Sequence, residues 1–413
     1  MKRLAKTRWL VAGCVAVGLM TTAAADEGDG PHLDHVFVIV MENHAYGQVV
    51  NNPNAPFTNQ YARSANTADR YFAVAHPSLT NYLEIVGGSN FGVLTDNSPD
   101  WHNASCQPNI VSGVTATDNP PSPNICPIVG VGTDAPTVAI DTTNEITPPS
   151  ILAVTNIDGA SLPSARTVGM TIGDQLVARG RTWKSYQESL PAISPDGVNH
   201  SDGFFTDASD IPAIIPGEKQ TMIQLYAVKH NPFAYFRNVQ DGHDPANSLR
   251  NVVGFEGQRG LYDDLASGRV PDYAFIVPNQ CNDQHGRGNA GPACDFDPST
   301  TGTQEGLNPA LMYQGDITLR TLVNAIHQSP AWHRGRNAIV VVWDENDYSA
   351  TPNLNQVLVI VDTNDGNHGV HSDRRYTHFS LLKTIERGLG LPCLNHACDP
   401  DVPTMDDLFG RDR

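Results

Sequence analysis

Four stretches of the chain are apolar without a break and then stop at charged or amide side chains. Val36 to Met41 ends at Glu42-Asn43-His44, and a run closing at Val277 gives way to Pro278-Asn279, with Asp283 and His285 close behind. Ala338 to Trp343 ends at Asp344-Glu345-Asn346-Asp347, and Val357 to Val361 is the fourth run. Continuous β-branched runs of this length suit strands covered on both faces. Between them, apolar residues recur at helical spacing. Ile172, Leu176 and Val177 precede Gly180; Ile317, Leu319, Leu322, Val323 and Ile326 precede Pro330; Leu381, Leu382 and Ile385 form a third stripe. The alternation predicts an α/β chain, a three-layer sandwich around a mostly parallel sheet, with ligands at the carboxyl ends of the strands.

The amino terminus changes the picture of the compartment. Residues 1–25 have a basic start (Lys2, Arg3, Lys6, Arg8), an apolar centre and Ala23-Ala24-Ala25 before Asp26. That pattern predicts a secretory signal peptide cleaved near Ala25, and so a secreted protein, extracellular or periplasmic. Lipidation of Cys14 is disfavoured, because the apolar run continues past it. No later run approaches about 18 apolar residues, the length of a spanning helix. No internal repeat or linker divides 26–413, which read as one domain. Its 97–164 region, rich in Pro, Ser, Thr and Asn, reads as a loop-rich insertion.

The 413-residue chain has a formal charge of −18, and removing the four leading basic residues leaves 22 Lys and Arg against 44 Asp and Glu, or −22. Such a surface repels nucleic acid and anionic lipid. Six cysteines remain after Cys14 is removed, an even number in an oxidising compartment. Pairing by proximity gives three bonds, Cys106–Cys126, Cys281–Cys294 and Cys393–Cys398, among about fifteen possible connectivities. No CxxC pair favours zinc instead.

Candidate chemistry lies at the strand ends and at Ser78. In "HPSLTNYLEIVGG", Ser78 precedes an apolar helical run and has two readings. A serine there caps orphan backbone N–H groups, or it is a nucleophile at a helix terminus suited to phosphate. Each strand-end cluster alone has an ordinary explanation: Glu42 and Asn43 as a turn, Asp344 and Glu345 as a solvated loop. Fifteen histidines include many that only satisfy local hydrogen bonds. A hydroxyl, hard oxygen ligands and imidazoles on one sheet edge make a metal-assisted transfer site.

The segments "VFVIVMENH", "HPSLTNYLEIVGG", "KHNPFAYF", "VPNQCNDQH", "VVVWDEND" and "YTHFSLLKTIERGLGL" stand in one order along the chain. In that order the sequence resembles the bacterial and fungal phosphoesterase family of secreted acid phosphatases and phospholipases C, within the alkaline phosphatase superfamily. The resemblance implies an alkaline-phosphatase-like fold over a single catalytic domain, 26–413. By this resemblance Ser78 matches the nucleophile, while Glu42, Asn43, Asp344 and Glu345 match the ligands of one divalent metal ion (Ca, Mg, Mn or Zn). Asn81, His285 and His378 resemble residues near the phosphate, and His76 and His230 line the pocket wall. The implied function is a secreted, metal-dependent, acid-phosphatase-like hydrolysis of phosphate monoesters through a phosphoserine. A phosphodiesterase or phospholipase C on the same scaffold is the alternative. A sulfatase is not favoured, since no Cys-x-Pro-x-Arg sequence occurs. The expected partners are small phosphorylated substrates, with no nucleic acid and no stable membrane association, and the sequence sets no oligomeric state.

Overall fold

A computed structural model describes residues 32–91, 93, 96, 98–99, 125, 127–129, 167–191, 197–199, 206–207, 221–222, 225–286, 293–294, 308–347 and 354–410. The expected signal peptide, Cys106, Cys126 and most of the 97–164 insertion lie outside the described residues. The strands are β1 (His35–Met41), β2 (Asn66–Phe72), β3 (Trp183–Gln187), β4 (Thr206–Asp207), β5 (Thr221–Met222), β6 (Val252–Val253), β7 (Tyr273–Val277), β8 (Asn337–Trp343), β9 (Val359–Thr363) and β10 (His371–Thr377). Eight form one sheet in the order β10-β2-β9-β8-β1-β7-β3-β6, and β4 pairs with β5 apart from it.

In the large sheet β9 alone runs antiparallel, to both β2 and β8, and the remaining pairings are parallel. The predicted α/β architecture is therefore present, and the fourth apolar run supplies its one reversed strand. The central strands are the apolar runs of the sequence: Val36 to Met41 and Ala338 to Trp343 are each fully enclosed. Burying each Val, Ile or Phe there contributes roughly 1.5–3 kcal/mol relative to exposure.

Helices pack in two groups. Ser78–Gly87 lies against His378–Gly388 and Ile172–Ala178, whereas Pro309–Gln328 lies against Pro56–Ser64 and Leu261–Ser267. The chain moves one way along the sheet from β1 to β2 and the other way from β2 to β3. Right-handed crossovers then put the two groups on opposite faces, giving three layers. The reversal leaves the carboxyl end of β1, between β8 and β7, as the crevice where such sheets bind ligands.

Two close contacts fix that edge. Asp316 of the long helix accepts the N–H groups of Phe57 and Thr58 at 3.1 and 2.7 Å, holding the start of the Pro56–Ser64 helix. Gly315 lets the same helix approach Gln284, where an added Cβ would stand 2.3 Å from Cγ. Gln284 in turn accepts the Trp343 indole N–H at 3.0 Å, tying the loop after β7 to the end of β8. Two expected disulfides are formed, Cys281–Cys294 and Cys393–Cys398.

Candidate active site

Ser78 is the first residue of the Ser78–Gly87 helix, Pro77 holds the N-cap position, and the free N–H of Leu79 is taken by Asp96 Oδ1 at 3.1 Å rather than by Ser78. The capping reading of Ser78 therefore fails. Its hydroxyl, fully buried, is 3.1 Å from Glu42 Oε2 and 3.4 Å from both Asn43 Oδ1 and Glu345 Oε1. Three sheet positions converge there: the ends of β1 and β8 supply the acceptors, and the turn after β2 supplies the hydroxyl. Asn43 adopts φ 47° and donates its N–H to Asp344 Oδ1 at 3.1 Å, which joins the two strand ends.

A second row of side chains stands behind this group. His76 Nδ1 lies 2.8 Å from Glu345 Oε2. Asn81 donates to the same oxygen at 3.0 Å, while its own carbonyl accepts the N–H groups of Val74 and Ala75 at 3.2 and 3.1 Å. On the other side, His230 stacks on Tyr82 with ring centroids 5.1 Å apart. It sets Nε2 3.1 Å from Glu42 Oε1 and Nδ1 3.4 Å from Asp283 Oδ2. His285 Nδ1 donates to the Gly286 carbonyl at 2.7 Å, leaving Nε2 to accept from Lys229 Nζ at 3.1 Å. Lys229, itself buried, also donates to Asp96 at 2.9 Å.

His378 occupies a different place from the other expected residues. Its Nε2 donates to the Asp344 carbonyl at 2.6 Å, and its Nδ1 accepts from the Tyr71 hydroxyl at 2.9 Å. Burial lowers its pKa to about 4, so the ring is neutral and braces the β8 end from behind. Lys229, Asp96 and Tyr82 were not singled out from the sequence. Lys229 sits inside "KHNPFAYF" next to His230, and that adjacency is the one sequence signal that points to it.

The electrostatics are dominated by buried carboxylates. Loss of hydration pushes Asp344 up to about 7, against the Asn43 N–H and other hydrogen bonds that pull it down. Burial raises Glu42 and Asp283 well above the usual carboxylate range, neighbouring carboxylates add to the effect, and Lys229 offsets part of it. His230 is held neutral by burial and then by the charge of Lys229. A neutral ring carries one N–H, so it can donate to Glu42 or to Asp283 but not to both. Asp344 Oδ2 is enclosed with no hydrogen-bond partner among the described residues. Buried acceptors without donors are costly unless a cation joins them. The donor set therefore fits a divalent cation: hard oxygens at Glu42, Asn43, Asp344 and Glu345. Glu42, His230 and His285 also offer atoms within 4.8 Å of one another, a mixed oxygen and nitrogen set.

Similarity to known proteins sets the class: the chain is a hydrolase of phosphoric ester bonds. It belongs to the Phosphoesterase family, whose model matches residues 48–294, a span that includes Ser78, Asn81 and His285. It is 22% identical over 382 residues to a phosphatidylinositol-3-phosphatase of Mycobacterium tuberculosis, covering 92% of this chain and 84% of that protein. It is 23% identical to an acid phosphatase of Aspergillus fumigatus, covering 89% of this chain but 57% of that protein. Among solved structures it is similar to a protein in the alkaline phosphatase superfamily from Vibrio parahaemolyticus, with a TM-score of 0.44 and 14% identity. That match covers 88% of this chain and 67% of the other.

Proposed function

We propose that this chain is a secreted, metal-dependent phosphomonoesterase of the acid phosphatase type that acts through a phosphorylated Ser78. The observation that carries the reading is the direction of one hydroxyl. Ser78 Oγ heads a helix, caps nothing in it, and faces the oxygens of Glu42, Asn43 and Glu345 instead. A free serine hydroxyl is a poor nucleophile and needs a base or a metal.

One divalent cation held by Glu42, Asn43, Asp344 and Glu345 would supply positive charge that favours the ionised hydroxyl and offsets charge on the transferring phosphoryl group. The residues of the chain do the rest. Glu42 Oε2, 3.1 Å away, is the nearest acceptor for the Ser78 proton. Ser78 Oγ then bonds to phosphorus as the ester P–O bond breaks and the alcohol departs with one proton. Water next attacks the phosphoserine, releasing inorganic phosphate and returning the hydroxyl. Asn81 and His76 keep Glu345 in place for both steps, and His378 keeps the Asp344 backbone in place. Lys229 adds a fixed positive charge beside His285.

Acid quenching during turnover, followed by peptide mass spectrometry, tests the reading. Phosphate trapped on the Ser78 peptide is expected, and rapid turnover with no phosphopeptide sinks the covalent route. The monoester preference is supported by the similarity to a phosphatidylinositol-3-phosphatase and an acid phosphatase. We expect kcat/KM for an aryl phosphomonoester to exceed that for the matched diester at least tenfold, about 1.4 kcal/mol in the transition state. A phosphoinositide monoester belongs in the same panel, given the name of the mycobacterial relative. Preference for the diester would move the chain to the phosphodiesterase or phospholipase C reading. Secretion is supported by the two disulfides, and terminal sequencing of the exported protein should begin near Asp26.

A further inference from the structure

The edge of the sheet opposite Ser78 holds a cavity of about 800 Å³, at the amino ends of β3 and β7. The five residues of β3 separate it from the carboxyl edge by roughly 17 Å, at the usual rise per residue. Arg181, Lys184, Arg250, Arg259 and Arg269 line it, facing a single lining carboxylate, Asp264. That carboxylate is already engaged by the Lys184 ammonium and by the Tyr186 hydroxyl, the latter at 2.6 Å. Arg181 pairs with Asp272 at 3.1 Å. Arg250, Arg259 and Arg269 are exposed residues and form no ion pair among the described residues.

This concentration runs against the rest of the molecule. Five of 26 Lys and Arg gather in one concavity of a chain whose formal charge is −18. Like charges held together raise the energy of the site until an anion joins them, and low-dielectric walls focus their field. The planar guanidinium fork matches phosphate oxygens in pairs. The three unpaired arginines come from separate segments: the Leu249–Asn251 turn, the loop before Leu261–Ser267 and the loop after it. A single phosphate carries about two charges at neutral pH, too few to neutralise three arginines on separate walls. The volume also falls in the roughly 300–1,000 Å³ range of small-molecule sites.

We propose that this groove binds a soluble oligophosphate, a small ligand bearing two or more linked phosphate groups, independently of the Ser78 site. The test is calorimetric titration of the full-length metal-loaded protein with methylenediphosphonate, whose P–C–P link resists hydrolysis, with the divalent ion in excess over the probe. The wild type should bind one more equivalent than Arg250→Glu/Arg269→Glu. That variant should hydrolyse an aryl phosphate within twofold of wild type. The gentler Arg250→Gln/Arg269→Gln pair should weaken the extra site at least tenfold and covers the case in which charge reversal disturbs folding. Equal stoichiometry and affinity in wild type and both variants would overturn the site. Inorganic phosphate binding as tightly as the diphosphonate would overturn the need for linked phosphates. Arginine-dependent capture by phosphoinositide vesicles, without binding of the free probe, would reassign the groove to a lipid headgroup. Because the Ser78 chemistry is read separately as hydrolysis, failure of the groove leaves the proposed reaction standing, and the reverse also holds.

Discussion

Removing the divalent ion should invert the pH dependence of stability, and Asp344 sets the size of the effect. Its carboxyl moves from an ordinary 3.8 to about 7 on burial in the metal-free fold. At about 1.4 kcal/mol per tenfold change in proton affinity, this one group carries on the order of 4 kcal/mol. Below pH 3.8 the carboxyl is protonated in both states and contributes nothing to the pH dependence. Between 3.8 and about 7 the unfolded chain has lost the proton and the folded chain keeps it. The folded state then binds more protons, so stability falls as pH rises. Glu42 and Asp283 shift in the same direction. The assay is urea unfolding in chelator, followed from about pH 4 to about pH 8 across this linkage window. Asp344→Asn stays neutral throughout, so in chelator it should be the more stable protein near pH 8, by up to about 4 kcal/mol, and nearly equal to wild type near pH 4. Saturating divalent ion should reverse the order, since binding to the folded state alone stabilises it and needs the ionised carboxylate. A metal-free wild type whose stability is flat or rises over this range, with no advantage for the Asn variant, would refute the reasoning.

Three further outcomes are expected. Ser78→Ala should lose both turnover and the phosphopeptide, and it should cost about 1–3 kcal/mol because the buried Glu42 Oε2 loses the hydroxyl that donates to it; a folded variant with a tenth of wild-type turnover excludes Ser78 as nucleophile. Lys229→Met removes the ammonium that lowers Glu42 and Asp283, so the acid limb of kcat/KM should move to higher pH with at least a tenfold loss, roughly 1.4 kcal/mol; an unmoved limb contradicts this. His378→Phe should lower kcat more than it raises KM and lower stability by about 1–3 kcal/mol through the orphaned Tyr71 hydroxyl and Asp344 carbonyl; unchanged kinetics would confine His378 to packing.

The central strands were legible because both of their faces are covered. Val36 to Met41 and Ala338 to Trp343 have no solvent side, so no polar residue interrupts them. The strands near the sheet's ends gave no such signal. β2 reads NTADRYF and β10 reads HSDRRYT, and each exposes several positions to water, so their sequences resemble loops. β3 and β6 are short, five and two residues. The reversal of β9 is invisible in its composition, because it is as buried as its parallel neighbours. The segment between Trp343 and Val359 does carry a hint: it holds no helical pattern long enough to form the crossover a parallel strand needs.

At the site, the legible part was where the oxygen-bearing side chains gather, and the part that escaped was burial. Glu42, Asn43, Asp344 and Glu345 stood out because they end apolar runs, a local property of the sequence. Ser78 reads as an exposed cap until the backbone places Pro77 at the cap position and closes the hydroxyl away from solvent. Lys229 reads as an ordinary surface lysine, since its partner Asp96 lies 133 residues away. Yet burial is what makes the composition meaningful. Four carboxylates on a wet surface would be screened and would ask for nothing. Glu42, Asp283, Asp344 and Glu345 are instead enclosed with one ammonium among them. Uncompensated charge of that size is tolerated only with protons or a cation. Protonation would silence the oxygens that face Ser78, whereas a divalent cation would recruit them, and the choice between the two is what pH and metal supply decide.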